Sequence, residues 1–371
     1  MIYFQASKKR VASNTAYIVI AAVLLCRCSA FAADHTALLS IGDCPFHSVV
    51  RLLPMWSSDG HVLVLINDNR ELILITVRSP EGPRILDVIS TEKPIDSYFV
   101  CNSRRIFLTN GQELLLMKKN DGKWGVSARQ EVASKGASVP TYVFGAATDA
   151  SRAYVYLGTP IHGASYEIWD IENNSLKLLK SMPSGGSCPL LDTKGRLWIP
   201  TSDGTSCFDI ESEELSLQFT FPGKSVLVYS HELENSQVVA TFGIPKITIG
   251  IFQNRARTIR FWEVDNQKSL SELVGGYHFH QFIPGHRAAV LSHDYAGYYV
   301  FFYDPNDQAI VPFPDKSTVG GDFVTFSPCG TYCVLKASPT TIRIIPSEDI
   351  MKHVQHRKLD PPVHPDWPLE N

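Results

Sequence analysis

At 371 residues, 44% hydrophobic and 19% charged, the chain carries enough apolar surface for a large buried core, which excludes disorder over most of its length. A formal charge of −3 gives no electrostatic reason to expect nucleic acid, which requires a clustered basic footprint.

Lys8, Lys9 and Arg10 precede the apolar run AYIVIAAVLL at 16–25, and Ala30-Phe31-Ala32 supplies the small-x-small pattern of a signal-peptidase site. Residues 1–32 are therefore expected to be a signal peptide and the mature chain to be secreted or periplasmic. The run is shorter than the roughly 20 apolar residues that cross a bilayer, and no other segment reaches that length, so no membrane span is expected in the mature chain. Leu25 and Arg27 stand where a lipidated cysteine needs a small residue, which argues against lipidation at Cys26 or Cys28.

HTALLSIG (35–42) reads as a strand with no neighbouring partner. Beyond it the chain is a succession of short Val, Ile, Leu, Tyr and Phe runs punctuated by Gly, Pro, Asn and Asp. Strand, tight turn and strand recur in PMWSSDGHVLVLI (54–66), FVCNSRRIFLT (99–109), GAATDASRAYVYLGT (145–159), PLLDTKGRLWIPT (189–201) and TFSPCGTYCVLKA (325–337). A second repeat ends a later strand of each unit: EIWDIENNSLKLL (167–179), SCFDIESEELSLQF (206–219), RFWEVDNQKSLSEL (260–273) and VFFYDPNDQAIVPF (300–313). Its acids, Asp170, Asp209, Glu263 and Asp304, are separated by 39, 54 and 41 residues, close to the period of about 40–45 for four-stranded propeller blades. The long step holds an extra loop, IPKITIGIFQNRAR, at 244–257.

The expected fold class is all-β: a seven-bladed β-propeller over 35–349 with four antiparallel strands per blade. Its units fall at about 46–90, 97–132, 141–182, 187–222, 225–274, 277–314 and 320–347. The last unit has three strands, and HTALLSIG is expected to supply the fourth and close the ring. Residues 350–371 are rich in Pro and read as an extended or disordered tail. Six cysteines remain after the leader: Cys44, Cys101, Cys188, Cys207, Cys329 and Cys333. They are read as buried free thiols or disulfides, Cys329 and Cys333 flanking a turn that a local bridge could close. No CxxC suggests a zinc site. Asn173-Asn174-Ser175 is a glycosylation sequon, relevant only in a eukaryotic secretory pathway.

SPCGTYCVL resembles the SPDG hairpin of WD40-like and YVTN-like propellers, with Cys329 in place of the acid, and WDIENN resembles the strand ending of WD repeats. GRLWIPTSDGTSCFDIES (195–212) is similar to a blade of bacterial sensor and lyase propellers. The resemblance implies the fold across nearly the whole mature chain and is silent on activity.

In such a fold the loops leading into the inner strands share a face with those joining second and third strands, and function concentrates there. Two second-to-third connections are long: TPIHGASY (159–166), and 244–257 with Lys246, Asn254, Arg255 and Arg257. His47, Lys246, Asn254 and Arg255 are the expected ligand-binding residues. His278 and His280 in GGYHFH (275–280) are expected to point to one side of a strand. With Asp322 or His47 they form a candidate divalent-metal set. YVYLGTPIHGASYEIWD resembles a blade of propeller polysaccharide lyases, which implies His162 as base, Tyr166 as acid and Arg257 as carboxylate clamp, joined by His278. No GxSxG, P-loop or GxGxxG motif is present. The expected function is binding of a partner protein or ligand on the loop-rich face, with no cofactor indicated. A lyase acting on acidic oligosaccharides is the alternative, and a subunit of a periplasmic redox complex a third reading.

Overall fold

The computed structural model describes residues 37–40, 54–77, 82–110, 113–131, 142–147, 152–158, 165–172, 175–183, 190–192, 194–200, 203–209, 216–223, 225, 227–233, 236–243, 248–249, 252–253, 257–293, 297–314 and 323–358. Within 142–183 the description is of backbone alone. The chain divides into two units, Met1–Ala37 and Leu38–Asn371, and every described residue except Ala37 belongs to the second. The expected signal peptide lies outside the described residues. Among the described residues no helix is long and apolar enough to cross a membrane.

The architecture is all-β. Seven four-stranded sheets are formed by the described residues, and every pairing with a described register is antiparallel. Six of them take four strands in chain order, within 55–89, 97–131, 142–183, 190–222, 227–275 and 277–312. The expected units match these spans within a few residues wherever they are described. The last sheet joins Val324–Phe326, Tyr332–Ser338 and Thr341–Pro346, and Ala37–Ser40 lies beside Thr341–Pro346 as its fourth strand.

The apolar runs dictate the layering. In the first sheet Val62–Ile66 is buried at every position and Leu72–Thr76 at all but the last, whereas the outer strand Arg84–Ile89 is mostly exposed. Central strands covered on both faces carry continuous apolar sequence; an outer strand does not need it. Adjacent sheets bury these faces against each other. Val64 and Leu74 pack with Tyr98, Ile106 and Met117 of the second sheet, and Trp198 and Phe221 pack with Val239 and Trp262 of the fifth. Each such side chain contributes about 1.5–3 kcal/mol on removal from water. A register shift recurs between third and fourth strands of the first five sheets, at Leu74/Ile75, Leu116/Met117, Ile168/Trp169, Cys207/Phe208 and Phe261/Trp262. In the last three it immediately precedes or contains the aromatic residue before Asp170, Asp209 and Glu263, so the sequence repeat is tied to a bulge that increases strand twist.

The hairpins explain the other repeat. Gly60 and Gly330 have φ of 66° and 68°, a backbone region that glycine enters freely. Ser57 Oγ accepts from the Val62 N–H at 2.9 Å and Ser327 Oγ from the Tyr332 N–H at 3.0 Å. Asp59 accepts from Ser57 Oγ at 2.6 Å, and in the last sheet Cys329 occupies the equivalent place, its Sγ 3.4 Å from Ser327 Oγ. Cys101, Cys207 and Cys333 are buried thiols and Cys329 an exposed one. The local bridge between Cys329 and Cys333 is therefore not formed.

The C-terminal expectation needs correction. Ser347–Lys358 is a helix in which Ile350, Met351 and Val354 are buried against Phe302, Val311 and Ile345. Their i, i+1, i+4 spacing makes one apolar face, and Glu348 and Asp349 favour the helix N-terminus. Of the expected tail, residues 359–371 lie outside the described residues.

Candidate functional site

Four strands of the fifth sheet, Leu227–Leu233, Ser236–Gly243, Arg257–Glu263 and Lys268–Gly275, lead directly into Tyr277–Phe282, the first strand of the sixth. Arg257 pairs with Gly275. The chain then passes Gly276 and returns His278 to Arg257, whose guanidinium contacts His278 Nε2. The Phe242 ring lies nearly parallel to the His278 ring, with centroids 6.4 Å apart. Phe242 and Arg257 flank the second-to-third connection of the fifth sheet, so this contact forms at the end of the sheets where that connection departs. A guanidinium has only donors, so any hydrogen bond in this contact runs from Arg257 to His278.

His280 behaves differently. The pairing register shifts between Phe279 and Gln281, leaving His280 as the extra residue of a bulge. Whereas His278 reaches the preceding sheet, His280 stays with its own: Nε2 is 2.7 Å from Ser292 Oγ and the ring is 5.0 Å from that of Tyr298. Burial, with a smaller contribution from His278, pulls its pKa down to about 4. It is neutral near pH 7. No group of three His, Cys, Asp or Glu side chains placed for a metal occurs among the described residues, and Asp322 and His47 are not among them.

Three further side chains join this end of the sixth sheet. His293 pairs with Tyr277 and makes edge contact with its ring at 5.0 Å, and Tyr299 meets both rings, at 5.9 Å from Tyr277 and 6.5 Å from His293. Burial raises the pKa of both tyrosines, so their phenols stay protonated. Nδ1 of His293 is buried without a hydrogen bond. Sequence reasoning missed these three. The available signal was that His293 ends a second strand at the same rim. The arrangement offers one guanidinium, imidazoles and phenols beside aromatic faces, a set suited to hydrogen bonding and stacking.

Arg257 and His278 are thus brought together. Tyr166, paired with Gly158 and Met182, is the second residue of the third strand of the third sheet, Ser165–Glu172. His47, His162, Lys246, Asn254, Arg255 and Asp322 lie outside the described residues. Within the 244–257 insertion, Thr248–Ile249 and Phe252–Gln253 form a two-stranded ribbon, and Arg257 already belongs to the third strand.

No family model matches the sequence. No curated protein matches it either. Solved structures do. One chain of a crystal structure of the Mitotic Checkpoint Complex is 12% identical with a TM-score of 0.59, over 84% of this chain and 94% of its own. The Pan2 WD40 domain of Neurospora crassa is 9% identical with a TM-score of 0.54, over 84% of this chain and 95% of its own. The fold is that of a WD40-type β-propeller. Because 1040 solved chains match, the likeness identifies an architecture shared by many activities.

Proposed function

We propose that the chain is an exported, seven-bladed WD40-type propeller that serves as a protein-binding scaffold through the rim around Arg257 and His278. The observation that carries this reading is the propeller fold itself, one of whose structural neighbours is part of a multi-protein complex. Seven four-stranded sheets and the place of Ala37–Ser40 beside the last of them support a closed ring. The basic, apolar and small-residue segments of 1–32 support export. At the rim, His278 and His280 are held by contacts with Arg257 and Ser292, which favours binding over turnover.

The test is affinity capture from the native extracytoplasmic fraction with wild type and with Arg257→Ala/His278→Ala. A stoichiometric protein partner, retained by the wild type and lost with the double substitution, is the expected result. A wild-type protein that captures nothing under low-salt conditions overturns the scaffold reading.

A second reading, a lyase acting on acidic oligosaccharides, keeps one supporting observation: Arg257 and His278 are in contact. Elimination would pair carboxylate neutralisation by Arg257 with proton removal by a nearby base. Ultraviolet absorbance of unsaturated uronate products measures it directly, and a flat trace with uronate polymers ends it.

A further inference from the structure

Away from that rim, the hairpins of the first two sheets enclose an open cleft of about 500 Å³, a volume within the range of ligand sites. The seam beneath it is pinned. Ser58 Oγ donates to the Cys101 carbonyl at 2.5 Å, and the Ser103 N–H donates to Asp59 Oδ2 at 3.0 Å. Two cations stand over this seam from separate turns, Arg104 between the first and second strands of the second sheet and Lys119 at the end of its third. A backbone hydrogen bond from Lys119 N to Arg104 O, 3.0 Å, fixes their spacing.

Among the described residues neither side chain forms an ion pair, and His61 adds a third basic group to the lining. Asp121 is the carboxylate of the lining, and Asp59 lies in the seam beneath it. The neighbouring ladder position sets Arg105 opposite Lys118, a like-charge pairing that is unfavourable on its own. On the other side Leu86, 37% exposed, and Val62 give an apolar wall. Leu86 belongs to Arg84–Ile89, the terminal strand of the first sheet, whose outer backbone groups can pair with an added strand. The cations come from segments 15 residues apart (104 and 119), so no basic run marks the place in the sequence.

We propose that this cleft docks an extended acidic segment of a partner protein, its carboxylates on Arg104 and Lys119 and an intervening apolar side chain on Val62 and Leu86. Charge complementarity, the apolar wall and the adjacent sheet edge all fit that occupant. The proposal rests on the scaffold reading but names a different surface from the rim.

The experiment is fluorescence anisotropy of the labelled peptides EELEELEE and KKLKKLKK with the purified full chain at low salt. The acidic peptide is expected to bind and the basic one not. Arg104→Glu/Lys119→Glu should weaken binding at least about tenfold, Leu86→Asp several-fold, and added salt should weaken it progressively. Lys268→Glu, on the exposed outer strand of the fifth sheet, should leave it unchanged. Circular dichroism melts verify folding, and Arg104→Ala and Lys119→Ala serve as milder variants. Equal binding by the double variant, or by the basic peptide, overturns the proposal. Full displacement by millimolar inorganic phosphate reassigns the cleft to small anions and likewise overturns it. Should the cleft variants leave a partner captured through the rim untouched while the peptide fails to bind, the cleft falls and the scaffold stands. Peptide binding without any captured partner supports the cleft and removes the rim reading.

Discussion

Cys329, in the hairpin of the last sheet, lies against Gly60 in the hairpin of the first: a Cβ on Gly60 would stand 3.3 Å from the Cys329 sulfur. Two segments 269 residues apart (60 and 329) therefore meet through homologous turns, as neighbouring blades do elsewhere in the molecule. A Cβ on Gly330 would likewise stand 3.1 Å from the carbonyl oxygen of Pro284, in the first hairpin of the sixth sheet. This contact makes ring closure testable by chemistry. In Gly60→Cys the new sulfur is placed to bond Cys329, and mild oxidation is expected to yield an intrachain disulfide, read as faster migration without reductant and a mass loss of two hydrogens. Cys329→Ser in the same background should abolish it. If Gly60→Cys stays reduced while its melt is close to wild type, the first and last sheets are not neighbours in solution.

Asp192, 3% exposed, anchors the junction of the fourth and fifth sheets. Its Oδ2 accepts from Trp198 Nε1 at 2.9 Å, Gln237 Nε2 at 2.9 Å and Arg196 Nε at 3.0 Å, while Oδ1 accepts the N–H groups of Lys194 and Arg196. Removing one partner of a buried pair leaves an uncompensated charge and costs about 3–5 kcal/mol. Asp192→Ala is expected to lose that much in urea unfolding. Asp192→Asn should recover little, because an amide NH₂ placed at Oδ2 would face three donors. A loss below about 1 kcal/mol for Asp192→Ala would show the network to be solvated.

Buried histidines contribute to the acid limit of stability, and burial lowers His286 in the same direction. Burial lowers His231 to about 4, and burial reinforced by His278 does the same to His280, both from the ordinary 6.5. Protons thus bind the unfolded chain more readily than the folded one. The neutral folded forms contribute fully above pH 6.5, and stability declines as pH falls from 6.5 towards 4, on the order of 3 kcal/mol per site at the limit. Asp59 and Glu71, whose pKa values are lowered, withdraw their contribution only at lower pH. His231 stacks on Phe282 at 5.0 Å and its Nε2 is buried without a partner. His231→Phe keeps the stack and should roughly halve the slope between pH 6.5 and 4 in chemical denaturation. An unchanged slope would mean that His231 is protonated in the fold.

The parts of the fold legible in the sequence were those with a local chemical signature. A glycine at positive φ marks the 57–61 and 327–331 hairpins, an aromatic-acid pair marks the bulged ends of third strands, and an orphan strand at 35–42 could be assigned to the incomplete last unit. What stayed hidden depended on geometry that residue order does not encode. Alternation predicted His278 and His280 on one side, and it gave no sign of the bulge at His280. Of the candidate site, the Arg257–His278 contact emerged because both stand beside the same strand end. His293 and Tyr299 were invisible because register alone brings them to Tyr277. The cleft was hidden for the same reason, its cations meeting only when two turns fold side by side.

The helix Ser347–Lys358 is the clearest case in which a polar-looking terminus turned out to be structural. Its mean composition is hydrophilic, with SEDIMKHVQHRK reading as charged tail, yet Ile350 is 1% exposed, Met351 3% and Val354 0%. Their neighbours Phe302, Val311 and Phe313 belong to the sixth sheet and Ile345 to the last. The helix therefore covers the end of the core shared by these two sheets. Ile350→Ala should cost about 2–5 kcal/mol by the cavity it leaves, and Val354→Asp more, since it buries an unpaired charge. Gln355→Ala, on the exposed face, should fall within about 0.5 kcal/mol of wild type. Paired unfolding curves decide the matter. If Ile350→Ala matches Gln355→Ala, the helix is an appendage; if it unfolds early while the slope with denaturant is unchanged, the helix shares the cooperative core.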